Sequence, residues 1–229
     1  MSKKQNNKAV VLVSGGLDSS VCLWWAVQEY EKVHALFVDY GQRSAPQEKL
    51  HAERQSRLAR AFFHTASSKY LSWWSDSRLF AGDLPVSKSL EGEEAQASAE
   101  AVWVPGRNGV LVSMAAAFAE SIGAETVVLG SNKEEGATFR DNTPEFVEAA
   151  DNFTRMATST ETGVVAPLLE MDKVAIVRLG RELGVSFEEI WSCYEAGEQM
   201  CGECESCLRL ERALEEAGER NSHGEESEG

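Results

Sequence analysis

Two stretches of this 229-residue chain carry residue types whose spacing suits chemistry. The first is Ser14-Gly15-Gly16-Leu17-Asp18-Ser19, set between an apolar β-branched run and an apolar helix-like run. Glycines just past a strand let the chain turn tightly, and their bare amides, joined to a helix amino terminus, make a concavity suited to an anion, phosphate above all. Ser14 and Ser19 add hydroxyls and Asp18 a carboxylate. The spacing is neither the dinucleotide fingerprint G-x-G-x-x-G nor the Walker loop, which needs a Gly-Lys-Ser/Thr ending. A bare turn with Asp18 and Ser19 as caps is the plainer reading of the same residues.

The second stretch is Cys193-x7-Cys201-x2-Cys204-x2-Cys207. Four thiolates satisfy tetrahedral Zn²⁺ and leave no open position for water, so the ion is expected to be structural, tying this end of the chain onto the domain. Disulfides compete with this reading, but the opening MSKKQNNKAVV lacks an apolar signal block, which argues for a compartment where thiols stay reduced. An iron–sulfur cluster competes too; here Cys207 is followed by Leu-Arg-Leu rather than by a fourth Cys-Pro. Cys22, inside an apolar helical run, reads as a small core residue. The four histidines show no spacing that suggests a triad or a metal site.

The elements that must position these groups follow from apolar patterning. Residues 9–13, 33–39 and 126–130 are short apolar runs of the buried-strand type. Helical stretches at 19–30, 44–60 and 108–122 alternate with them, the second opened by Ser44-Ala-Pro and the third stopped by Gly123. Such alternation implies α/β architecture: a Rossmann-like parallel sheet flanked by helices, binding its ligand beyond the carboxyl ends of the strands. Residues 67–101 break the pattern and read as a loop excursion or lid. The expected division is a nucleotide-binding domain over 1–185, a four-cysteine zinc-binding helical segment over 186–215 and a disordered acidic tail over 216–229.

Asp39 and Gly41 with Tyr40, and Gly130 with Ser131 and Asn132, end strands at the same sheet edge, where an adenosine would lie; ordinary strand-ending turns explain them equally. Arg107 in a first helical turn opposes the helix dipole, as does Lys173 after Pro167-Leu-Leu-Glu-Met-Asp172; each costs about 0.3 to 1 kcal/mol unless an anion compensates. The formal net charge of −15 repels phosphate backbones and argues against direct nucleic-acid binding. No apolar run approaches the roughly 20 residues that span a bilayer, and a cytoplasmic protein is expected.

Ser14-Gly15-Gly16-Leu17-Asp18-Ser19 resembles the pyrophosphate loop of the ATP pyrophosphatases, which cleave ATP between the α and β phosphates to adenylate a carbonyl or carboxylate. Asp39-Tyr40-Gly41-Gln42-Arg43, Val104-Pro105-Gly106-Arg107-Asn108, Gly130-Ser131-Asn132 and the four cysteines are similar to the 7-cyano-7-deazaguanine synthase family of queuosine and archaeosine biosynthesis. The resemblance implies ATP, Mg²⁺ and structural Zn²⁺ as cofactors, 7-carboxy-7-deazaguanine and ammonia as substrates, and a homodimer. It implies catalytic roles for Asp18, Ser19, Arg107 and Lys173. ATP would lie on residues 14–19, 39–41 and 130–132, and the acceptor on Arg107, Asn108, Phe139 and Asp141. Where the family carries Tyr-Pro-Asp-Cys-Arg, this chain reads Phe139-Arg140-Asp141-Asn142-Thr143, and the family's histidine after Tyr-Gly-Gln-Arg is Ser44. The first cysteine gap is one residue shorter than usual. Two other readings therefore stand beside nitrile synthesis: a ligase that stops at the amide, joining the acid to an amine or a protein, and a zinc-stapled nucleotide sensor without turnover.

Overall fold

The computed structural model describes residues 5–84 and 92–219. Its element order is β1 (Gln5–Leu12), α1 (Leu17–Glu29), β2 (Tyr30–Asp39), α2 (Ala45–Leu58), β3 (Phe62–Ser67), α3 (Gly92–Val102), α4 (Arg107–Ile122), β4 (Thr126–Val128), α5 (Lys133–Thr138), α6 (Pro144–Ala157), β5 (Gly163–Val165), α7 (Lys173–Leu183) and α8 (Glu205–Ala217). The five strands form one parallel sheet in the order β3-β2-β1-β4-β5. The expected parallel α/β architecture is thus present.

The period of two along β1 explains why both faces of the sheet are covered. Ala9 and Val11 enter one core with Val21, Leu23, Ile176 and Leu214, whereas Val10 enters the other with Val112, Val127 and Val164. Val10, Val11 and Val127 are fully buried, each stabilising the fold by about 1.5 to 3 kcal/mol. After β3 the chain returns across the sheet to place β4 on the far side of β1. The connections leaving β1 and β4 therefore diverge, and a crevice opens at the carboxyl edge between them.

Two expectations change. Residues 67–101 are not an unstructured excursion throughout: they contain a 3-10 turn over Lys69–Trp73 and α3, while 85–91 lie outside the described residues. The acidic tail expected from 216 onward does not start there, because α8 runs through Ala217; the rest of that stretch, 220–229, lies outside the described residues. The four-cysteine segment leads into α8, which packs onto the domain. Leu210, Ala213, Leu214 and Ala217 form an i, i+3, i+4, i+7 stripe of α8 that packs into the same core as α1 and α7.

Candidate active site at the carboxyl edge of the sheet

The loop between β1 and α1 is braced from three directions. Gly15 has φ +77, and a Cβ there would lie 2.9 Å from the Ala52 amide nitrogen, the Glu48 carbonyl oxygen and the His51 Cβ. What comes so close to Gly15 is the backbone of α2 rather than a ligand. The Gly15 carbonyl accepts from the Trp191 amide at 2.9 Å, hooking the loop to the segment that precedes the cysteines. Inside the loop, the Ser19 hydroxyl accepts from the Ser14 amide at 3.1 Å and donates to the Gly16 carbonyl at 3.2 Å. Gly16 caps α1 without any side-chain hydrogen bond, so the first amides of α1 have no side-chain acceptor. Helices α5, α6 and α7 are capped by Asn132, Thr143 and Asp172, whereas α2, α4 and α8 start without a side-chain cap as α1 does. An uncapped helix start at the mouth of a crevice suits an anion.

That crevice is a cavity of about 310 Å³, walled by Ser14, Gly16, Leu17, Asp18, Ser19, Gly130 and Ser131 on the loop side. Gly130 lets β4 end against α1: a Cβ there would sit 3.3 Å from the Ser19 amide nitrogen. Lys173, at the start of α7, also lines the cavity. Its ammonium lies 2.6 Å from Asp18 Oδ2 and 3.1 Å from Glu135 Oε1. Burial would pull this lysine down, but the two carboxylates outweigh it and hold it charged. Burial pushes the Asp18 carboxyl up against the pull of Lys173, and leaves Asp18 Oδ1 buried without a partner. The helix-dipole cost expected for Lys173 is thus offset by side chains already present. Glu134 completes the corner: it accepts from the Lys173 amide at 2.9 Å and pairs with Arg212 at 2.7 Å and Arg209 at 3.4 Å.

Across the cavity, Arg107 is flanked by the Tyr40 ring, whose centroid is 5.9 Å from its guanidinium carbon. Burial raises the Tyr40 phenol to about 12, so it remains a neutral donor. Asn108 accepts from Arg107 Nε at 3.1 Å and donates to the Asp141 carbonyl at 2.9 Å, which fixes the start of α4 against the turn at Arg140–Asn142. Phe139 and Trp103 both line the cavity with ring planes 7° apart and centroids 6.0 Å apart, a flat aromatic wall.

The four cysteine sulfurs lie within 4.8 Å of one another. A tetrahedral site with metal–sulfur bonds of about 2.3 Å has sulfurs roughly 3.8 Å apart, and Cys201 and Cys207 stand at 4.0 Å. Amides of Glu195 and Cys201 donate to Cys193 Sγ, and those of Glu203 and Cys204 to Cys201 Sγ, as thiolates require. The cluster fits a metal. It also seats Trp191, Tyr194, Glu205, Ser206, Arg209 and Leu210 in the cavity wall, so the segment closes the site as well as tying down the chain.

A model described as "Queuosine biosynthesis protein QueC" matches residues 8–218. The chain belongs to the QueC family. A protein of Carboxydothermus hydrogenoformans named 7-cyano-7-deazaguanine synthase is 40% identical over 209 residues, covering 90% of this chain and 97% of its own. Proteins of the same name from Pelotomaculum thermopropionicum and Pyrococcus horikoshii are each 41% identical, over 216 and 222 residues; they cover 92% and 91% of this chain and 98% and 93% of their own.

For this QueC member, five of the residues singled out by sequence stand beside the cavity rather than in its wall. Gly15 packs on α2, as above. Asp39 accepts from the Gly41 amide at 3.0 Å, pairs with Lys69 at 3.1 Å and faces a neighbouring groove. Gly41, at φ +98, lies under Ser72, whose Cβ would be 2.8 Å from an added methyl. Asn132 is fully buried and caps α5. Asp141 is buried behind the wall, where its carboxyl is raised by burial and opposed by Arg107, and Asn142 rather than Asp141 reaches the cavity. Thr143 caps α6, and Ser44 donates to Glu48 at 2.6 Å. Glu48, Trp103, Glu135, Trp191, Tyr194, Glu205 and Arg209 line the cavity although no motif announced them.

Proposed function

We propose that this chain converts 7-carboxy-7-deazaguanine and ammonia into 7-cyano-7-deazaguanine, consuming two ATP, in 7-deazapurine biosynthesis. The observation that carries the reading is the uncapped start of α1 opening, together with Ser14, Asp18, Ser19 and Lys173, into one cavity with Arg107 and the aromatic pair Phe139 and Trp103. The name shared by relatives at about 40% identity supports it.

In this reading the acceptor's carboxylate oxygen attacks the α-phosphorus of the first ATP; the α–β bridge breaks, pyrophosphate leaves onto the amides of α1, and an acyl-adenylate remains. Ammonia adds to the carbonyl carbon, AMP departs and the amide forms. The amide oxygen then attacks a second ATP in the same way, and loss of AMP with the remaining N–H protons leaves the nitrile. No side chain becomes covalently modified. Ser14, Ser19 and Lys173 hold the phosphates, Arg107 holds the acceptor carboxylate in line, and Asn108 and Asp141 fix Arg107. Positioning and charge stabilisation supply most of the acceleration. Asp18, with its buried partnerless Oδ1, is the residue to meet Mg²⁺, which would neutralise pyrophosphate. Cys193, Cys201, Cys204 and Cys207 would hold Zn²⁺, whose contribution is structural. Cytoplasmic residence and a homodimer belong to the same reading.

Incubation with ATP, the acid and ammonium, followed by mass analysis, tests it. The expected product is the nitrile with two AMP; amide alone would make the chain an amide-forming ligase, and no consumption of the acid would overturn the proposal.

A further inference from the structure

Glu205 opens α8 between two of the clustered cysteines, with Cys204 as the cap before it and Cys207 in the same turn. It lines the cavity and is only 2% exposed. Its Oε1 accepts from both Arg209 Nε, at 2.9 Å, and Arg209 Nη2, at 2.6 Å, while Oε2 is buried without any partner. A carboxylate in a first helical turn favours the dipole even when solvated. Its burial therefore has no helical reason, and a buried carboxylate oxygen left unpaired is costly. Metal ligation does not account for it: among the described residues, the group of three or more histidine, cysteine or carboxylate side chains that converges as ligands do is the four-cysteine one.

We propose that Glu205 is the specificity residue that reads the guanine-like edge of the acceptor, a proposal resting on the function inferred above. The pyrrolopyrimidine presents two adjacent donors, the ring N1–H and the 2-amino group. The carboxylate accepts both on Oε2, whose two lone pairs have no protein partner, while Arg209 occupies Oε1 and makes the bonds charge-assisted. Adenine cannot satisfy the same group, because its 6-amino donor adjoins a bare ring nitrogen. The acceptor end of the cavity thereby rejects the base of ATP. The metal cluster, through the backbone of Cys204 and Cys207, sets the position of this carboxylate.

The experiment compares kcat/KM for 7-carboxy-7-deazaguanine and for its analogue lacking the 2-amino group, with ATP and ammonium, in the intact metal-loaded protein. Wild type is expected to prefer the natural acid by at least about tenfold, since a site built to pair a donor discriminates against its absence. In Glu205→Gln, and in Glu205→Asp should the first fold poorly, KM for the acid is expected to rise at least about tenfold and the preference to fall towards one. KM for ATP and metal content should hold, while melting temperature is expected to fall because Arg209 loses its charged partner. No preference in wild type, or an unchanged preference in a folded variant, would overturn the proposal. So would a rise confined to the KM for ammonium, which would make Glu205 an amine site. Failure of wild type to consume the acid at all would remove the underlying function and this assignment with it, whereas turnover with unchanged preference removes the assignment alone.

Discussion

The Lys173 ammonium lies 2.6 Å from the Asp18 carboxylate, a pair that joins the first turn of α7 to the first turn of α1 across 155 residues of sequence. Because Lys173 also holds Glu135 at 3.1 Å, losing one carboxylate does not leave the buried cation alone. Asp18→Asn is therefore expected to keep the fold while lowering AMP formation from ATP by at least about a hundredfold. Thermal melting and AMP release, measured on the same preparation, check this; unchanged AMP production would sink the assignment of the loop to phosphates.

The two adjacent glycines should behave differently. Gly15→Ala forces a methyl against the backbone of α2 at φ +77, and a stability loss of about 1 to 3 kcal/mol is expected. Gly16→Ala meets the Ser14 hydroxyl at 3.3 Å and the Trp191 carbonyl oxygen at an ordinary 3.7 Å, so it should fold and lose turnover instead. Melting curves beside AMP release distinguish the two, and equal stability of both variants would contradict the bracing by α2.

Metal analysis should find close to one zinc per chain. Cys204→Ser is expected to lower metal content and melting temperature together. It should also raise KM for the acceptor, because Glu205 and Arg209 follow Cys204 directly into the cavity wall. A well-folded wild type free of metal would refute this.

Burial pushes the Glu134 carboxyl up, but the Lys173 amide and Arg212 outweigh it and hold it below the ordinary glutamate value. Its pairing is then fully present above the ordinary value of about 4.3 and is lost as pH falls through the lowered folded value. Glu134→Gln should cost about 1 to 3 kcal/mol near neutrality. The difference in melting temperature from wild type should close on acidification below about pH 4. A gap independent of pH would mean that packing, not charge, is what Glu134 provides.

The stack of Trp103 on Phe139 offers a flat surface to a bicyclic base. Trp103→Ala is expected to raise KM for the acceptor about tenfold, in line with about 1 to 3 kcal/mol for a base on an aromatic ring. Steady-state kinetics with saturating ATP would show it, and an unchanged KM would place the base elsewhere.

How much of this was legible in the sequence differs by element. Strands β1, β2 and β4 declare themselves because central parallel strands are buried on both faces and read as continuous apolar runs. Strand β3 is an edge strand whose Phe62 is 56% exposed, and β5 is the other edge strand, opened by Gly163, so neither reads as a central strand does. The last turns of α8 were hidden by their own composition: Glu211, Glu215 and Glu216 suggest a solvated tail, yet Ala213, Leu214 and Ala217 face the core. Glycine loops and cysteine spacings are local and can be read directly. Trp103, Glu135, Tyr194 and Glu205 reach the cavity only through packing, although a glutamate directly after a cluster cysteine is a signal that could have singled out Glu205. Asp141 misled because a retained residue type in a motif does not say which neighbour points inward; here it is Asn142.

Helix α1 begins without a side-chain acceptor for its first amides, and under the proposed chemistry those amides receive pyrophosphate twice for each nitrile made. Nothing in that arrangement discriminates the leaving product from the incoming triphosphate, whose β and γ phosphates present the same oxygens. Phosphate and sulfate buffers should then act as weak competitors of ATP, and pyrophosphate as a strong one. Pyrophosphate left to accumulate should then slow turnover, and its removal should restore the rate.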